Sequence, residues 1–135
     1  MRKIARELNL SETAFVLPSK QATFQMRYFT PTGHEISFCC HSTVGALYMI
    51  AKERRFGIIK EGIYPFEVET LSGILNMEIQ IGKHDEIQVA YEAPKIKLKK
   101  TSISHLEVAT AGGFDKELIN PTFPVMYEET NKDLF

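Results

Sequence analysis

Apolar residues at Ile4, Ala5 and Leu8 open the chain with helical spacing, which predicts an amphipathic helix over residues 1–9 closed by Asn9 and Ser11. The pattern then changes to strand character. Residues 13–17 are apolar and end at Pro18-Ser19-Lys20, and residues 23–29 alternate until Pro31 and Gly33. Residues 35–39 form a further short strand candidate. Val44, Leu47, Tyr48, Ile50 and Ala51 return to helical spacing, which predicts a buried helix over 44–56. Its basic residues near the C-terminal end suit the helix dipole, and Gly57 is the expected cap.

Three more strands are predicted at 64–71, 74–81 and 86–91, with turns at Ser72-Gly73 and at 82–85, and a sixth at 96–99. A meander that follows a central helix is an α+β arrangement. Beyond Thr101 the pattern weakens. Ser102 is a candidate helix cap, Ala111-Gly112-Gly113 a turn, and residues 120–135 are polar with two prolines. The expected organisation is therefore one domain over 1–100 followed by a loosely organised stretch over 101–135.

Composition narrows the classes of partner. Sixteen Lys and Arg against 17 Asp and Glu leave a net charge of -1, which lacks the basic footprint that a phosphate backbone requires, so no nucleic-acid partner is expected. The run Lys95-Ile96-Lys97-Leu98-Lys99-Lys100 alternates basic and apolar residues, as the solvated face or edge of a strand does. No apolar stretch approaches the roughly 18 residues of a membrane span, and the N-terminus has no signal-like apolar core. A cytoplasmic protein without a membrane partner is expected. The two cysteines are adjacent, which rules out a disulfide framework and fits reduced thiols.

Candidate chemistry concentrates in Cys39-Cys40-His41-Ser42-Thr43, where strand pattern gives way to helix. Three consecutive residues point in divergent directions, so they are poorly placed to ligate one tetrahedral ion, and no metal is expected. A thiol at a helix start is favoured as thiolate and His41 offers a proton acceptor, yet buried free cysteines are also common apolar fillers. His41, Ser42 and Thr43, followed by small residues, suit either a carboxylate at the helix start or hydroxyl caps alone. Glu12 lies between an apolar helix and an apolar strand, where a partly desolvated carboxylate can exchange protons near neutral pH.

The stretches "LNLSETAFVLPS" at 8–19, "RYFTPTGHEISFCCHSTVGALYMIAKE" at 27–53 and "VETLSGILNMEI" at 68–79 together resemble the N-terminal half of the PhzF family of phenazine-biosynthesis-like isomerases and epimerases. The resemblance runs from Met1 to about Pro94. It implies a diaminopimelate epimerase-like half: a curved, mostly antiparallel sheet wrapped around a central helix, with an active site in the cleft between two such halves. Glu12 matches the acid/base glutamate of the Ser-Glu-Thr motif, and His41 matches the histidine of Gly-His-x-Thr bordering the substrate pocket. Ser42 and Thr43 follow in the positions that open the helix.

The implied activity is a cofactor-independent isomerisation in which Glu12 moves a proton along a small unsaturated carboxylic acid. The alternatives are a racemase or epimerase that uses Cys39, and a non-catalytic fragment or binding module. Cys40 stands where the family usually has glycine. Family members also begin some thirty residues earlier and are about twice as long, so that "YEETNKDLF" at 127–135 resembles the beginning of a second half. An incomplete site of this kind implies completion across a homodimer.

Overall fold

The first helix of the computed structural model, α1 (Arg2–Leu8), stops where Asn9 adopts the left-handed conformation (φ 49°) and returns its N–H to the Ala5 carbonyl. Residues 1–128 are described by the structure. Only Ala5 of α1 is buried; Ile4 and Leu8, expected on its packed face, are each 52% exposed. A polar clamp holds the helix instead, with the Arg6 guanidinium donating to the Thr32 carbonyl at 3.0 and 2.9 Å. Gly33 makes room for that clamp, since a Cβ there would lie 2.7 Å from Arg6 Nε, and its φ of +84° also favours glycine.

Residues Met1–Pro94 form one compact unit. Strand β1 (Thr13–Leu17) pairs antiparallel with β2 (Phe24–Phe29) from Thr13↔Phe29 to Leu17↔Gln25. On its other side β2 carries the two-residue β3 (Glu35–Ile36) at one end and runs parallel to β4 (Gly62–Thr70) at the other, through Phe24↔Val68 and Gln25↔Glu69. A parallel pair requires a crossover, and helix α2 (Cys40–Lys52) supplies it. Antiparallel β5 (Gly73–Ile81) and β6 (Ile87–Tyr91) complete the order β1-β2-β4-β5-β6, with β3 on β2. The expected curved, mostly antiparallel sheet around a central helix is thus present.

The core follows from strand alternation meeting one helix stripe. Phe24, Met26 and Tyr28 of β2, Phe66 and Val68 of β4, and Leu75, Met77, Ile79 and Ile81 of β5 point inward against Leu47, Ile50 and Ala51 of α2. Each of the Val, Leu, Ile, Phe and Met side chains among them stabilises the fold by about 1.5–3 kcal/mol relative to exposure.

Helix α2 lies four residues earlier than its apolar spacing predicts. It begins because extended Cys39 (φ -142°, ψ 116°) offers its carbonyl to Thr43 N–H at 3.0 Å. It ends because Arg54 turns left-handed (φ 49°), with Arg55 N–H returning to the Ile50 carbonyl, well before Gly57. The hydroxyls expected as caps act in the opposite sense: Ser42 and Thr43 both donate back to the Cys39 carbonyl, at 3.4 and 2.7 Å.

The second unit runs from Lys95 onward. Strand β7 (Leu98–Lys100) does not extend the meander as expected; it pairs antiparallel with β8 (Met126–Glu128) in a separate two-stranded sheet. Alternation marks a strand but not its partner. Helix α3 (His105–Gly112) is capped by Ser104 rather than Ser102, because Glu107 three residues on completes a capping box that Ser102 lacks. Gly113 closes it in the left-handed conformation (φ 69°). Of the stretch resembling a second half, residues 129–135 lie outside the described residues. No helix among the described residues is long and apolar enough to cross a membrane.

Candidate functional site

Two segments converge at the opening of α2. The turn Leu10-Ser11-Glu12 enters β1, and Cys39 precedes the first helical turn that carries His41. Glu12 Oε2 lies 3.1 Å from His41 Nε2, and Ser11 Oγ lies 3.1 Å from the same nitrogen. Cys39 Sγ is 3.5 Å from Nδ1 and 3.9 Å from Nε2 of the same ring. The imidazole side chain is 64% exposed while that of Glu12 is 22% exposed and Cys39 is buried. The imidazole is therefore the exposed member of a cluster whose carboxylate and thiol are less exposed. When His41 carries its proton on Nε2 it donates to Glu12, and Nδ1 is left to accept from the Cys39 thiol.

Beside this cluster runs a groove of about 710 Å³ between β1 and α2. Glu12 and Ser42 supply polar atoms near its end, while Val16, Leu17, Ala46, Met49 and Phe56 supply an apolar wall. Gly45 lines it without a side chain, and a Cβ added there would meet nothing within 4 Å. The volume suits a small organic ligand, and an apolar wall with a few convergent polar groups is the usual construction of such a site.

Glu12, Cys39 and His41 are thus gathered, and Ser42 stands at the groove. Thr43 is not: it is wholly buried, its hydroxyl accepting from Tyr28 at 2.8 Å while donating to Cys39. Its place is beneath the site, holding the helix start to β2. Burial pushes the Tyr28 phenol up to about 12. Sequence reasoning passed over Tyr28 and Ser11; for Ser11 the available signal was its adjacency to Glu12, while Tyr28 was indistinguishable from any inward strand residue.

Cys40 is exposed and is the first residue of α2, with no positive φ. The side chain at this position therefore leaves the helix start unstrained. Its thiol bonds the Tyr91 hydroxyl, which holds that phenol above its ordinary value.

A curved sheet around one crossover helix, with a carboxylate and an imidazole in contact at the helix opening, defines an α+β half with a groove beside that opening. The chain belongs to the PhzC-PhzF family of phenazine biosynthesis-like proteins, whose model matches residues 1–135. It is 31% identical over 130 residues to the uncharacterized isomerase YfhB of Bacillus subtilis, covering 96% of this chain and 42% of that protein. It is 36% identical over 78 residues to the trans-2,3-dihydro-3-hydroxyanthranilate isomerase of Pseudomonas aeruginosa, covering 54% of this chain and 28% of that enzyme. The crystal structure of a Bacillus anthracis phenazine biosynthesis protein of the PhzF family superposes with a TM-score of 0.69 at 33% identity, over 95% of this chain and 41% of that one. The chain therefore spans about two fifths of the length of the Bacillus subtilis and Bacillus anthracis proteins.

Proposed function

We propose that this chain carries the acid/base half of a cofactor-independent isomerase acting on a small unsaturated carboxylic acid. The observation that carries the reading is the Glu12–His41 pair, 3.1 Å apart, with Glu12 lining a largely apolar groove. Glu12 takes a proton from a carbon made acidic by conjugation to the substrate carboxylate and returns it elsewhere on the same face, which shifts the double bond. His41 orients Glu12 by hydrogen bonding and, with Ser42 and the first-turn N–H groups of α2, receives the substrate carboxylate. Positioning of the substrate beside this carboxylate supplies the rate.

A second copy of the chain completes the cleft, and exposed apolar residues along the groove, including Leu10, Val16 and Met49, support such an association. Incorporation of deuterium from solvent into candidate unsaturated acids tests the reading. Wild type exchanges in a dimeric form, and Glu12→Gln loses at least about 100-fold in rate, the scale of a general acid/base contribution. Equal rates in the two proteins would end the assignment. A second reading, a racemase with Cys39 as the base, is favoured by the thiol's approach to His41 Nδ1; it predicts that Cys39→Ser, and not Glu12→Gln, stops exchange at the substrate's α-carbon.

A further inference from the structure

We propose that Glu12, Cys39 and His41 form a zinc site that, when filled, shuts off the acid/base chemistry of the same cleft. The argument starts from what tertiary structure adds to the local sequence. Cys39, Cys40 and His41 cannot converge on one ion as neighbours, but skipping Cys40 and bringing Glu12 from the β1 entrance places three ligand atoms of different types within 4.8 Å of one another. Zinc takes sulfur at about 2.3 Å and nitrogen or carboxylate oxygen at about 2.0–2.2 Å, which puts tetrahedral ligand atoms roughly 3.3–3.6 Å apart. The separations of 3.1 Å for Glu12 Oε2 to His41 Nε2 and 3.9 Å for Cys39 Sγ to Nε2 lie just below and just above that range, within the reach of a small side-chain rotation.

The donor set selects the metal. A thiolate, an imidazole and one carboxylate suit zinc and its soft or borderline relatives, whereas magnesium and calcium require mostly oxygen. The thiol's contact to Nδ1 is long, 3.5 Å, so little is lost when the sulfur exchanges that hydrogen bond for an ion. The imidazole is 64% exposed, which gives an ion a path in and gives the ring room to turn Nε2 toward it. Entry of the ion displaces the Cys39 thiol proton to solvent and replaces the Glu12 and Ser11 contacts to Nε2. Three protein ligands leave a fourth position for water.

Binding of zinc stands on this geometry alone; only its inhibitory consequence rests on the isomerase reading, because a carboxylate ligated to zinc is no longer a free base. Equilibrium dialysis of the full chain against zinc is expected to give one ion per chain, and cobalt in its place to give a sulfur-to-cobalt charge-transfer band with tetrahedral visible bands. Cys39→Ser and Glu12→Gln weaken binding by more than about tenfold, since even groups behind the ligands are worth about 10–100-fold. Cys40→Ser retains it, which separates this site from capture by the exposed thiol. Wild-type circular dichroism in each variant excludes a folding defect. No bound zinc, or binding lost in Cys40→Ser and kept in Cys39→Ser, would overturn the site. Bound zinc with solvent exchange undiminished would overturn the inhibition while leaving the site standing, and absence of exchange with or without zinc counts against the isomerase reading alone.

Discussion

The Tyr28 hydroxyl lies 2.8 Å from Thr43 Oγ1, which itself donates to the Cys39 carbonyl at 2.7 Å. Because the single Thr43 proton is committed to Cys39, Tyr28 is the donor. This chain ties the middle of β2 to the backbone immediately before His41, so the position of the candidate site is set from inside the core. Thr43→Val keeps the shape but leaves Tyr28 with only the Met26 sulfur at 3.3 Å. It is expected to lower unfolding free energy by about 1–3 kcal/mol and to reduce proton exchange, whereas a purely local packing role would change stability alone. Urea denaturation and deuterium incorporation measure the two effects.

Alkaline stability follows from the same residue. The Tyr28 phenol ionises near 10 when unfolded and only at about 12 in the buried native site. Between those values the unfolded chain gives up a proton that the folded chain retains. The contribution is therefore complete below pH 10 and is lost as pH rises through about 12. That separation corresponds to roughly 3 kcal/mol at most. Urea midpoints measured across this window should fall in wild type and fall less steeply in Tyr28→Phe; parallel curves would refute the role of this phenol.

Gly45 offers a separation of stability from binding. Its Cβ position is open space within helix α2, so Gly45→Ala should raise stability by about 0.5–1 kcal/mol through helix propensity. The same methyl group projects into the groove, and the expected kinetic effect is a higher KM with little change in kcat. An unchanged KM would place the substrate elsewhere.

Leu47 is wholly buried where α2 meets the sheet, among Phe24, Met26 and Ile79. Leu47→Ala is expected to cost about 2–5 kcal/mol by combining lost transfer energy with a cavity. Thermal unfolding reads the loss, and a cost below about 1 kcal/mol would mean that α2 is not the helix on which the core closes.

Acid should loosen the second unit at a defined place. Glu107 accepts the Ser104 N–H at 2.8 Å and its hydroxyl at 2.7 Å, and these bonds hold its carboxyl below the ordinary 4.5. The cap is fully stabilising above that ordinary value and is lost as pH falls through the lower folded one. Amide exchange in α3 should accelerate there relative to β4 and β5, and Ser104→Ala should remove the pH dependence.

Element type was legible wherever one periodicity dominated. The five residues of β1 and the alternation of β4, β5 and β6 appear within a residue or two of their expected ends, because strand alternation records which face is buried. Helix α2 was recognised but displaced by four residues, since apolar spacing marks the packed stripe and not the carbonyl at which hydrogen bonding starts. Cys39 decided that start, and an extended cysteine carries no cap signature. Membership of β7 in a separate sheet was not legible, because strand pairing is a long-range choice that local alternation leaves open.

Glu12 and His41 were singled out by resemblance to a family motif, and composition or spacing alone favoured neither. Hydrophobic patterning along the chain determines that this protein builds a sheet around one helix, since burying apolar faces requires little beyond their order and period. The convergence of Glu12, Cys39 and His41 was decided only in three dimensions: the antiparallel register of β1 on β2 brings residue 12 to the end of α2, and the Tyr28–Thr43 bond fixes that end. Reasoning over chain neighbours could weigh Cys39 against Cys40, but the carboxylate that completes the cluster arrives through the fold.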